Sequence, residues 1–144
     1  MKMNVRLHRF MTKRALLAAL ALAGSAFGAW AADMLGEPTM SSEKGGASQT
    51  TFAPDTAELF LQVDLTGVAS GSTFTCTWIA EDTHGVAPAN FKIAATDFKV
   101  GSIENVGNCS VSKPNAGWPV GAYRVDLAVN GQTIKNAKFS VAQQ

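Results

Sequence analysis

Hydrophobic and polar positions along most of this chain alternate with a period of two, the signature of half-buried β-strands. In Ala57 to Leu65, Leu59, Leu61, Val63 and Leu65 alternate with polar neighbours, with Phe60 as an apolar exception on the outer side. From Ser72 to Glu81, Phe74, Cys76, Trp78 and Ala80 share one face, and Thr73, Thr75, Thr77 and Ile79 the other. Phe91 to Ala95 and Phe98 to Val100 are two weaker strand candidates, and Gly107 to Ser112 is a short strand. Tyr123, Val125, Leu127 and Val129 alternate against Arg124, Asp126 and Ala128. Asn130-Gly131 follows at once, the dipeptide suited to the two positive φ angles of a type I′ turn. The return strand runs from Gln132 to Val141. A two-residue turn pairs Val129 with Gln132 and Leu127 with Ile134. The inward parity then changes, because Ala137, Phe139 and Val141 are odd-numbered. One extra residue near Lys135-Asn136 restores it, so a β-bulge is expected there, with Val125 opposite Ala137 and Tyr123 opposite Phe139.

Between these runs lie turn-forming stretches, Thr66-Gly67 to Ser70-Gly71, DTHGVAPAN over 82–90 and KPNAG over 113–117. No segment has a helical period. About seven short strands at this spacing predict an all-β antiparallel sandwich. Residues 32–51 hold Gly, Ser, Thr and Pro without an apolar period and are expected to form a flexible N-terminal tail. The sandwich is then expected over residues 52–144.

The run Trp118-Pro119-Val120-Gly121-Ala122-Tyr123-Arg124-Val125 enters the hairpin. Its Gly-x-Tyr-x-apolar pattern resembles the tyrosine corner of immunoglobulin-like sandwiches. With the Asn-Gly hairpin behind it, the stretch is similar to the small immunoglobulin-like domains of bacterial envelope proteins, periplasmic proteins and lipoproteins among them. The resemblance implies that Trp118, Gly121 and Tyr123 define the corner, with the phenol turned inward and its hydroxyl bonded to backbone upstream. Antibody domains carry a cysteine two residues after that tyrosine. Here the position is Val125, so the inter-sheet bridge of antibody domains is absent in that form. The resemblance specifies a fold rather than an activity.

Residues 1–31 have the organisation of an export signal. Lys2, Arg6, Arg9, Lys13 and Arg14 precede the apolar run Ala15 to Ala23, and Ala29-Trp30-Ala31 supplies small residues for cleavage after Ala31. An equally good leader begins at Met11. The apolar run is shorter than the roughly 20 residues needed to span a bilayer. No cysteine adjoins the cleavage site to receive a lipid. The expected product is exported, periplasmic or extracellular, with no membrane insertion once the signal is removed.

Removal of the signal changes the charge. Five of the twelve Lys and Arg lie in it, and all eleven Asp and Glu lie beyond, so seven positive groups face eleven negative ones, a net −4. That leaves no basic patch for nucleic acid. In an oxidising compartment the only two cysteines, Cys76 and Cys109, are expected to form a disulfide. Trp78, on the same strand face as Cys76, is placed to pack beside it.

Chemistry-bearing groups are sparse. His84 is the single histidine beyond the signal, with Glu81 and Asp82 near it, too few ligands for a zinc or blue-copper centre. No serine lies in a G-x-S-x-G elbow, and no phosphate-binding or dinucleotide motif occurs. The sequence therefore assigns no catalytic residue, no metal ligand and no cofactor. Its expectation is a non-catalytic binding or accessory domain whose partner is a protein or an envelope polymer. Asp82, His84 and Val86, on the long 82–90 loop, are the candidate contacts. That loop and the Asn130-Gly131 turn are expected at one end of the sandwich, with the corner loop 113–120 at the other. The final strand is expected at a sheet edge, guarded by Lys135, Lys138 and the bulge. Two alternatives are a carbohydrate-binding module using Trp78, Trp118 and Tyr123 as exposed rings, and a fibre or pilin-like subunit whose sandwich lacks a strand.

Overall fold

The computed structural model describes residues 34–144. The signal segment and its cleavage site lie outside the described residues. Eight strands follow in chain order: β1 (Thr39–Ser41), β2 (Thr51–Phe52), β3 (Glu58–Asp64), β4 (Thr73–Asp82), β5 (Phe91–Lys99), β6 (Val106–Ser112), β7 (Gly121–Val129) and β8 (Gln132–Val141). They form a short sheet in the order β1-β3-β6 and a long sheet in the order β2-β8-β7-β4-β5. Every pairing is antiparallel except β2 with β8.

The alternating apolar residues become the packed layer between the sheets. Leu59, Leu61 and Val63 of β3 face Phe74, Cys76 and Trp78 of β4 and Tyr123, Val125 and Leu127 of β7, all buried. Phe139 lies at the centre of the aromatic cluster, stacked on Tyr123 at 5.1 Å between ring centroids. Trp78 and Phe52 meet its ring edge-on at 6.1 and 5.8 Å. Such pairs add to the area effect because the positive ring edge meets the negative face. The Cys76–Cys109 disulfide ties β4 to β6 across the layer, with 6.5 Å between the Cα atoms. It closes a loop whose prior restraint stabilises the fold by about 3–4 kcal/mol on the chain-entropy account.

The hairpin forms as its sequence requires. Asn130 (φ 51°) and Gly131 (φ 81°) make the turn, and the Asn130 side-chain carbonyl accepts the Thr73 amide at 2.9 Å. Val125 opposes Ala137 and Tyr123 opposes Phe139. The bulge lies one residue earlier than expected. Leu127 pairs with Lys135 and Ala128 with Thr133, which leaves Ile134 as the extra residue. Half-buried Ile134 still packs against the core.

Three further expectations are corrected. From Met34 onward the supposed tail belongs to the sandwich. Leu35 and Met40 are buried, β1 pairs with β3, and β2 pairs with the end of β8. Strands of three and two residues are too short to display a period, so the pattern hid them. Secondly, β8 is not a bare edge, because β2 covers Ser140 and Val141. Thirdly, Phe91–Lys99 is one strand with a register shift opposite Trp78/Ile79, not two. The shift makes Ile93 an extra residue and breaks the period that a single strand would show.

Candidate functional site

The correction at β5 decides where the loops lie. Consecutive antiparallel strands reverse direction, so counting 91–100 as two strands adds one reversal. With one strand there, the 83–90 and 113–120 loops emerge at the same end, and the Asn130-Gly131 turn at the opposite one. The pairing of Asp82, last in β4, with Ala122, second in β7, fixes this. The approach is close. A Cβ on Gly121 (φ 157°) would stand 2.0 Å from the Asp82 carbonyl oxygen, so no larger residue fits without moving the backbone.

The corner loop is pinned from three sides. The Tyr123 hydroxyl donates to the Pro119 carbonyl at 2.5 Å, four residues upstream, as the resemblance implied. The Trp118 indole N–H donates to the Thr56 carbonyl at 2.9 Å, and its backbone N–H to that of Pro54, also at 2.9 Å. Burial penalises the phenolate and pushes the Tyr123 pKa up to about 12. Trp78, Trp118 and Tyr123 are all buried, which removes the exposed rings that a sugar platform needs.

The 83–90 loop is built from its own backbone. His84 (φ 54°) and Gly85 (φ 85°) form a tight turn closed by the Val86 amide on the Thr83 carbonyl at 3.2 Å. The Asp82 carboxylate accepts the His84 amide at 2.9 Å. Buried Thr83 accepts the Ala87 amide on its hydroxyl, also at 2.9 Å. The Asn90 amide returns to the Glu81 carbonyl at 3.1 Å. On the outer face of the long sheet, Arg124 joins Asp126 (3.0 Å), Glu81 (3.2 Å) and Asn90 (2.8 Å). The two carboxylates raise the arginine pKa further, the Asp126 hydrogen bond foremost. The loop's last residue is thereby fastened to the sheet.

Asp82, at the end of β4, and His84 and Val86, in the loop that follows, are all exposed, with Val86 72 % exposed. Glu81 is engaged by Arg124 instead of facing His84. Among the described residues no group of three His, Cys, Asp or Glu is placed to hold a metal.

Between the two loops lies an apolar groove of about 310 Å³. Ala80, Phe91 and Ile93 form its floor, Thr83 and Ala87 one wall, and Pro114, Trp118 and Pro119 the other. Exposed Val86, Val120 and Phe91, the last 48 % exposed, stand at this same end. The sequence marks Trp118 as a corner residue but gives neither it nor Phe91 as a contact beside the 82–90 loop. From the pattern alone Phe91 opens a strand, and counting 91–100 as two strands puts the loops at opposite ends. A second depression of about 170 Å³ lies on the outer face of the short sheet, around Phe60, Gln62 and Asn108.

Two packed sheets, a tyrosine corner and one inter-sheet disulfide define an immunoglobulin-like β-sandwich. Antibody constant domains set four strands over three. Here the strand after β4 stays with the long sheet, and the short sheet keeps three. Comparison with solved structures agrees on the class. An immunoglobulin-like protein from Pseudomonas aeruginosa superposes with a TM-score of 0.51 at 13 % identity, over 74 % of this chain and 93 % of that one. A superoxide reductase (neelaredoxin) from Ignicoccus hospitalis reaches a TM-score of 0.45 at 10 % identity, over 83 % and 89 % of the two chains. The first likeness concerns the fold alone. No family model matches the chain, and no curated protein matches it by sequence.

Proposed function

We propose that this chain is an exported, non-catalytic binding domain of the cell envelope, and that it recognises a segment of a partner protein at the end formed by the 83–90 and 113–120 loops. The observation that carries the reading is the apolar groove between those loops, with Val86, Phe91 and Val120 exposed at the same end. Apolar surface gathered in one concavity, on loops held rigid by a sandwich, is how such scaffolds present binding sites. The groove lining contains no charged side chain. The disulfide and the N-terminal pattern of residues 1–31 support an oxidising, exported setting.

The test is cross-linking in envelope extract with the wild-type protein and a Val86→Asp/Phe91→Asp variant. The wild type is expected to retain a specific protein that the variant loses, with both melting at similar temperatures. Equal capture by the two would overturn the assignment to this end. Mass spectrometry of the exported protein should find Ala32 at the N-terminus.

A further inference from the structure

The outermost strands differ in how they treat a stray neighbour. β1 has three residues, and β8 is partly covered by β2 and carries Lys135, Lys138 and its bulge. β5 carries Lys92, Asp97, Lys99 and its own bulge. Such devices discourage pairing with another chain. β6 has none of them. Its seven residues, VGNCSVS, contain no charge and no proline and keep an unbroken register with β3. The Leu65 amide reaches the Asn105 carbonyl, and the Lys113 amide that of Ala57, both at 2.8 Å. These bonds fix the parity of the ladder. Gly107, Cys109 and Val111 turn their main-chain groups to β3, and Val106, Asn108, Ser110 and Ser112 turn theirs to the open side.

The space beside that edge already has a floor. The disulfide sets β6 over β4, so β5, one strand further along, extends beyond it. Phe98, Thr96, Ala94 and Phe91 pair with Phe74, Cys76, Trp78 and Ala80 and therefore share their inward face. The β4 row is fully covered, whereas Phe91 and Thr96 are exposed and Ala94 and Phe98 half-buried. At its Phe91 end this floor runs into the apolar groove. An open edge, an apolar floor and an anchoring groove lie side by side.

A second copy cannot use this edge through its own β6, because its β4 would have to occupy the place of β5. Charge narrows the occupant further. Neither β6 nor the groove lining offers an ion-pair partner, so a charged residue pressed there would be desolvated without compensation. We infer that the open edge of β6 accepts a single extended, uncharged segment of a partner protein as the fourth strand of the short sheet. Alternate apolar side chains of that segment rest on Phe91, Ala94 and Phe98, and a terminal one enters the groove beside Trp118. This deepens the reading of a partner site at the loop end and rests on it for the anchor. Main-chain hydrogen bonds would supply affinity and the alternating contacts selectivity, as in other strand additions.

The experiment selects peptides of about ten residues, long enough for one strand, from a displayed random library on the purified protein. A chosen peptide is then synthesised and its binding followed by fluorescence polarisation and amide hydrogen exchange. Enriched sequences are expected to alternate apolar and uncharged polar residues. On binding, the amides of Val106, Asn108, Ser110 and Ser112 should slow by about tenfold or more, with those of Gly107 and Cys109 little changed. Ser110→Pro removes one outward N–H at a position where an edge strand tolerates proline. It should keep the wild-type melting temperature and weaken binding about tenfold. Exchange at the four outward amides unaffected by a bound peptide would overturn strand addition. If Phe91→Asp then still abolished binding, the groove reading would survive alone. A library that enriches nothing overturns both.

Discussion

Replacing Tyr123 with Phe removes one oxygen and leaves the ring stacked on Phe139 and edge-on to Trp118. The loss at neutral pH is the hydrogen bond to the Pro119 carbonyl, about 1 kcal/mol net, since half-buried Pro119 leaves its carbonyl some access to water. The same oxygen makes wild-type stability depend on pH. The folded pKa of about 12 lies above the ordinary value of 10.0, so the folded state keeps its proton where the unfolded chain has lost it. Stability from this group is complete below pH 10 and declines as the pH rises toward 12. At pH 11, one unit above the ordinary value, the decline is about 1.4 kcal/mol. The tyrosine and phenylalanine forms should therefore reach equal stability between about pH 10 and 11, with the order reversed above. Denaturant melts of both proteins at a series of pH values measure this difference, in which every other titrating group cancels. Because Tyr123 is the only tyrosine in the chain, phenolate absorbance reports its pKa without ambiguity. A difference constant from pH 8 to 11, or an absorbance midpoint near 10, would refute both the burial and the linkage.

Three other expectations address different parts of the fold. Mutating Cys76 and Cys109 together to Ala should lower stability by about 3–4 kcal/mol, and non-reducing peptide mapping of the wild type should find the two linked. Gly121→Ala should cost about 2–4 kcal/mol, since its Cβ meets the Asp82 carbonyl. An unchanged melting temperature would mean that β4 and β7 do not approach this closely. Met40→Ala should cost about 2–4 kcal/mol by opening a cavity under β1, whereas a residue in a loose tail would cost almost nothing.

Legibility from sequence followed the length of each element. The β7–β8 hairpin could be read to individual pairs such as Val125 with Ala137, because nine and ten residues carry a period and Asn130-Gly131 sets the register. The inward Tyr123 and its bond to upstream backbone were legible through a local motif, although the motif did not name Pro119 as the acceptor. Met40 and Phe52 were not, since strands of three and two residues draw their stability from tertiary partners rather than from their own pattern. The misreading with the largest consequence was at Ile93. One extra residue disguised β5 as two strands, inverted the count of reversals, and sent the corner loop to the wrong end. The candidate contacts Asp82, His84 and Val86 lie on or next to one of the two loops that flank the groove, whereas its Phe91 and Trp118 sides follow only from the corrected topology.

The parallel pairing of β2 with β8 also sets the order of events in time. Thr51 and Phe52 have as partners Ser140 and Val141, 89 residues further along. During synthesis β2 must therefore wait for the last strand before the long sheet can close. Contacts of such sequence separation slow folding, because the loop-closure entropy must be met before the pairing repays it. The short sheet needs no residue beyond Ser112, so the two layers of the sandwich become available at different times, the long one last.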